Sequence, residues 1–197
     1  MLSLLVLISG GGSNLRALLE ASRDARYPAH VIAVGSDTDA AGLAHAEEFD
    51  IPTFTVVPSA FADREAWGTE LLEQIDRWSP DLVVCAGFMR ILPPVVVSAL
   101  TPRLINTHPA LLPAFPGAHA VRDALAAGAL TTGVTVHVID EGVDTGPVIV
   151  QREVAIRPGD SEHDLHERIK VVERELLVQA VRDIATGEVD LEETAAR

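Results

Sequence analysis

Leu2-Ser3-Leu4-Leu5-Val6-Leu7-Ile8-Ser9-Gly10-Gly11-Gly12-Ser13-Asn14-Leu15 begins as an apolar run, passes three consecutive glycines and enters sequence that suits a helix. The run from Leu4 to Ile8 is too short to span a bilayer, lacks a basic flank and leads straight into glycine. It reads as a strand, not as a signal peptide or membrane segment. The same alternation continues along the chain. Strands are expected at Leu2–Ser9, His30–Ser36, Pro52–Val57, Asp81–Ala86, Arg103–His108, Thr132–Ile139 and Pro147–Ile156. Helices are expected at Asn14–Arg23, Ala40–Phe49, Arg64–Trp78, Ala118–Ala127 and Ser161–Thr186. Strands alternating with helices imply a parallel sheet covered on both faces. The last two strands lack an intervening helix, so antiparallel pairing is expected there. The predicted fold is a three-layer α/β domain over residues 1–197, with a mostly parallel, twisted, Rossmann-like sheet and an antiparallel C-terminal part. Ser161 followed by Asp164 is a helix start signal. The acidic tail, about 188–197, has little to bury and is expected to fray.

The 197 residues carry 29 acidic and 15 basic side chains, a formal net charge of −14. Nucleic-acid binding needs a basic footprint, and none appears at the level of the whole chain. A small anion held by a local site is not excluded. The single cysteine, Cys85, cannot form an internal disulfide and sits in the apolar run Leu82-Val83-Val84-Cys85-Ala86. It reads as a buried structural thiol. Lack of a targeting segment and of disulfides favours the cytoplasm, away from membranes.

Glycines in Gly10-Gly11-Gly12 let the backbone approach a ligand, and the helix start beyond them offers N–H groups to an anion. A phosphate site is one reading; a tight turn capped by Ser13 or Asn14 is the other. The loop has Leu15 where a dinucleotide fingerprint has its third Gly or Ala, although Asp37 imitates a ribose-binding acid. No Gly-Lys-Ser/Thr follows, which excludes a Walker A loop.

Ile105-Asn106-Thr107-His108-Pro109 ends a predicted strand and enters a proline-rich loop. Residues two apart on a strand face the same way, so Asn106 and His108 share a side. An amide beside an imidazole suits stabilisation of a developing oxyanion with nearby proton transfer. A hydrogen-bonded His near a sheet edge is the bland alternative. Asp144 lies in the Asp140-to-Gly146 loop. Folded back, it pairs with His108 and favours the imidazolium; otherwise it belongs to a solvated acidic loop.

Four segments together resemble the glycinamide ribonucleotide formyltransferases, folate-dependent enzymes of purine biosynthesis. They are Ile8 to Leu15, Ala86-Gly87-Phe88-Met89-Arg90-Ile91-Leu92, Asn106 through Pro113, and Asp140 through Gly146. The resemblance implies formyl transfer from 10-formyltetrahydrofolate to the amine of glycinamide ribonucleotide, without a metal. It assigns Asn106, His108 and Asp144 to catalysis. It assigns Gly12, Ser13 and Asn14, with Leu15 and Arg16, to the substrate phosphate, and Lys170 and Glu173 to the ribonucleotide. Lys170 and Glu173 also read as an exposed i,i+3 ion pair. Folate contacts are implied for Arg64, Met89, Arg90, Ile91, Leu92, Asn106, Asp140, Glu141, Gly142, Val143 and Asp144. A homodimer is compatible with the resemblance. Two departures stand out: Ala110 replaces the usual Ser, putting local hydrogen bonding in doubt, and Gly11 replaces a common Asn.

The Asn-x-His…Asp core is shared by other formyl-folate enzymes. A tRNA formyltransferase is expected to add a basic domain, a formyl-folate hydrolase an N-terminal one, and a sugar-nucleotide formyltransferase further domains. Ser13-Asn14 in the glycine loop favours the ribonucleotide acceptor. A non-catalytic binding relative has no need of all three core residues, and Leu15 disfavours a nicotinamide oxidoreductase.

Overall fold

The computed structural model describes residues 1–196. Strands run at β1 Leu2–Ile8, β2 Ala29–Ser36, β3 Thr53–Thr55, β4 Leu82–Cys85, β5 Leu104–His108, β6 Thr131–Val138 and β7 Val148–Ala155. Helices run at α1 Ser13–Ala21, α2 Leu43–Glu48, α3 Arg64–Asp76, α4 Pro94–Leu100, α5 Ala120–Ala126, α6 Glu162–Thr186 and α7 Leu191–Ala195. One sheet has the order β3-β2-β1-β4-β5-β6-β7. Pairing is parallel from β3 to β5 and antiparallel for β5–β6 and β6–β7. The expected mixed sheet is thus observed.

The central strands are apolar on both faces because helices cover both. Leu4, Val6, Val84 and Ile105 pack with α1 and α6, through Leu15, Leu18, Ile169 and Leu177. Leu5, Leu7, Val83 and Leu104 pack with α3 and α4, through Trp67, Leu71, Ile75 and Val96. No helix among the described residues is long and apolar enough to cross a membrane.

Three features differ from expectation. Helix α4 was not anticipated, because Val95-Val96-Val97 reads as β-branched; Pro94 at its start is the signal that favours a helix. Helix α2 starts at Leu43, with turn-type hydrogen bonds before it, rather than at Ala40. The tail expected to fray is helical over Leu191–Ala195: Asp190 caps its N-terminus, accepting from Glu192 N and Glu193 N, and Thr194 is buried. Residue 197 lies outside the described residues. The α6 start signal is a full capping box between Ser161 and Asp164.

Candidate active site

Strand order reverses between β1 and β4, and open α/β sheets bind ligands beyond the carboxyl ends of strands at such a point. The two loops leaving there are joined: Ser9 N donates to Gly87 O at 3.1 Å, and Met89 N to Ser9 Oγ at 2.8 Å. Beside them opens a cavity of about 440 Å³, a size suited to a small organic ligand. Met89, Arg90, Ile91 and Leu92 line it, as do Asp140, Glu141, Gly142, Val143 and Asp144. Asn106 and His108 line it too, with His137.

Period-2 geometry explains the pair on β5. Asn106 and His108 face the cavity, while Thr107 points to the opposite face and donates to Glu173 Oε1 of α6 at 3.0 Å. His108 is 4% exposed. Its Nε2 lies 2.8 Å from Phe115 O, and a carbonyl only accepts, so Nε2 carries a proton. Its Nδ1 faces Asp144 Oδ2 at 3.3 Å. Both ring nitrogens therefore face acceptors, an arrangement that the doubly protonated ring satisfies. Asp144 reaches this position with a left-handed backbone, φ 55°. A strained non-glycine residue of this kind is held by its surroundings and is common at functional sites.

The Asp144 carboxylate has two further neighbours: Gly117 N donates to Oδ2 at 2.7 Å, and His137 Nε2 stands 3.6 Å from Oδ1. Burial would push this carboxyl up. The His137 ring, the Gly117 N–H and the His108 ring outweigh burial and hold it below the usual carboxylate range.

His137 was not singled out from sequence. It is 2% exposed and lies opposite Asn106 in the β5–β6 ladder. Its Nδ1 donates to Val138 O at 2.9 Å, and its Nε2 stands between the Asn106 amide at 3.2 Å and the Asp144 carboxylate at 3.6 Å. The ring thus positions the Asn106 amide at the cavity wall beside Asp144. A histidine between Val136 and Val138 was the only sequence signal, and nothing local said which strand it would face.

Ala110 removes a hydroxyl, yet the loop around it is tied by its neighbours. Thr135 Oγ donates to Ala110 O at 2.7 Å and accepts from Leu112 N at 3.1 Å. Gln151 Nε2 bonds both Leu112 O and Thr135 Oγ at 2.8 Å. Thr135→Val keeps the shape and strands these buried backbone groups. It is expected to lower stability by about 1–3 kcal/mol, measured by urea unfolding; an unchanged midpoint would show that the clamp is not needed.

Arg64, at the start of α3, donates to Ile91 O and Leu92 O, both at 2.9 Å, and so braces the 89–92 wall from outside the lining. Arg90 Nε donates to the buried Asp37 at 2.6 Å, which engages the acid that had imitated a ribose ligand. Gly12 has φ 68° and N-caps α1, with Ser13 and Asn14 in its first turn. The Leu15 side chain is fully in the core, leaving only its backbone to a ligand. Arg16 is engaged by Glu20 and Glu48 at 2.8 and 3.0 Å. The exposed Lys170–Glu173 pair is not formed: Lys170 Nζ binds Glu167 at 2.7 Å, and Glu173 is 8% exposed beneath β5. Burial raises the Glu173 carboxyl above the usual range despite its contacts with Asn14 and Thr107. The Cys85 thiol, also in the lining, is pushed by burial up to about 12, which disfavours the thiolate.

Residues 2–181 match the family described as Formyl transferase, and the chain belongs to that family. The particular members it resembles are phosphoribosylglycinamide formyltransferases. That of Mycobacterium tuberculosis is 52% identical over 183 residues, covering 93% of this chain and 85% of that protein. That of Escherichia coli is 43% identical over 196 residues, covering 99% and 92%. The crystal structure of glycinamide ribonucleotide transformylase 1 from Symbiobacterium toebii superposes with a TM-score of 0.92 at 40% identity, covering 95% of this chain and 89% of that one.

Proposed function

We propose that the chain transfers the formyl group of 10-formyltetrahydrofolate to the amine of glycinamide ribonucleotide. The products are formylglycinamide ribonucleotide and tetrahydrofolate, a step of de novo purine biosynthesis. The observation that carries this reading is the meeting of Asn106, His108 and Asp144 at one cavity beside the glycine loop. A pocket with apolar walls and backbone groups at 89–92 and 140–144 fits a flat pterin with its hydrogen-bonding edge. The folate supplies the formyl carbon. The amine of the ribonucleotide adds to it, and the oxygen that gathers negative charge is met by the Asn106 N–H and by the positive charge of the His108 ring. The adduct collapses by breaking the bond to the folate nitrogen, which takes the proton that the amine gives up. Asp144 keeps that ring charged and oriented. Gly12, Ser13 and Asn14 present N–H groups to the phosphate, where the α1 dipole favours an anion. Glu173, buried next to Asn14 and Thr107, is our candidate for the ribose contact.

Purified protein is expected to formylate glycinamide ribonucleotide with 10-formyltetrahydrofolate, followed by tetrahydrofolate release. Equal or faster turnover with water as acceptor would replace the transferase reading with a hydrolase.

A further inference from the structure

All three carbonyls of the glycine triplet are engaged behind the loop. Gly10 O accepts from Gly42 N and Gly12 O from Arg16 N, each at 2.9 Å. Gly11 O lies 3.1 Å from His45 Nε2, which must carry the proton because a carbonyl only accepts. His45 Nδ1 lies 3.3 Å from Arg16 Nη1, which only donates, so Nδ1 holds the lone pair. The ring is thus the neutral Nε2–H tautomer, specified from both sides. Arg16 is itself held by Glu20 and Glu48. The loop and the α2 start also interlock sterically. A Cβ on Gly12 would stand 2.9 Å from Gly42 Cα, and one on Gly42 would stand 2.8 Å from Gly10 O.

In a planar trans peptide, C=O and the following N–H point in opposite directions. Carbonyls drawn back at Gly10, Gly11 and Gly12 therefore turn the N–H groups of Gly11, Gly12 and Ser13 forward. Among the described residues these three N–H groups have no protein acceptor. The Gly10 and Gly12 carbonyls are held by backbone donors, whereas the Gly11 carbonyl depends on one side chain. That peptide lies between two glycines, where a flip meets little steric resistance.

We infer that His45 is a positioning residue for phosphate binding: its Nε2–H locks the Gly11–Gly12 peptide so that Gly12 N–H faces the phosphate of the substrate. The inference rests on the proposed ribonucleotide reading of the loop. It adds a residue from α2, a helix that contributes nothing to the folate cavity.

His45→Ala is expected to raise KM for glycinamide ribonucleotide by about tenfold, the size of one lost hydrogen bond to an anion, with KM for the folate and kcat at saturation kept. His45→Gln places an amide N–H within reach of Gly11 O and is expected to restore most of the affinity. Inorganic phosphate binding, followed by calorimetry, is expected to weaken and recover in the same order. If KM and phosphate affinity are unchanged in a folded His45→Ala protein, or if Gln behaves like Ala, the inference is overturned. If the wild type does not formylate the ribonucleotide while phosphate binding still follows the series, the substrate reading fails and the role of His45 stands.

Discussion

Replacing His108 with alanine is expected to lower kcat by roughly a hundredfold or more, with folate binding largely kept. The reason is positional. The ring is held between Phe115 O at 2.8 Å and Asp144 at 3.3 Å and faces the cavity from a buried site. In such surroundings a preorganised donor is worth more than in water, because no solvent has to reorganise when charge develops. Most of the cavity lining lies on other segments, so folate affinity, measured by fluorescence titration, is expected to change little. Near wild-type turnover would remove His108 from the mechanism.

Asp144→Asn is expected to reduce kcat by roughly a hundredfold as well. The carboxylate holds the His108 ring from Nδ1 and meets it with a full negative charge; an amide supplies no charge there. The stability effect has a definite sign. In the wild type the Asp144 carboxyl is held below its ordinary range, while unfolding restores the ordinary value. It therefore contributes stability at pH above the ordinary carboxylate pKa, and that contribution is lost as pH falls through the native value. Melting temperatures of wild type and variant should differ at neutral pH and converge in acid. A constant difference across pH, together with near wild-type turnover, would show that the Asp144 carboxylate is neither held low nor needed by His108.

The tie between Asp144 and two histidines also accounts for the form of the 140–146 loop. Asp140 accepts from Gly142 N at 3.0 Å and from Thr145 Oγ at 2.8 Å, closing the loop on itself. A Cβ on Gly146 would collide with Val138 O where the chain re-enters the sheet. The loop is thus compact enough to carry a left-handed Asp144 to the end of β5.

The alternation of apolar runs and amphipathic stretches was sufficient to predict the mixed sheet, the antiparallel C-terminal pair and the shared side of Asn106 and His108. These are local properties: periodicity, turn chemistry and the pleat act over a few residues. Local reading failed where propensity and context disagree, as at the β-branched start of α4 and the capped, partly buried tail helix. What lay beyond the sequence was which distant groups meet. Whether Asp144 would reach His108 depended on a loop 36 positions further along the chain folding back onto β5. That His137 would orient Asn106 depended on the β5–β6 register, since a one-residue slip would turn the ring to the other face. The burial of Glu173 under Thr107 and the hold of His45 on Gly11 depended on how α6 and α2 pack. Side-chain identity determined what each group can donate or accept; only the packed chain decided which partner it has, because contacts between elements are set by burial summed over the whole core.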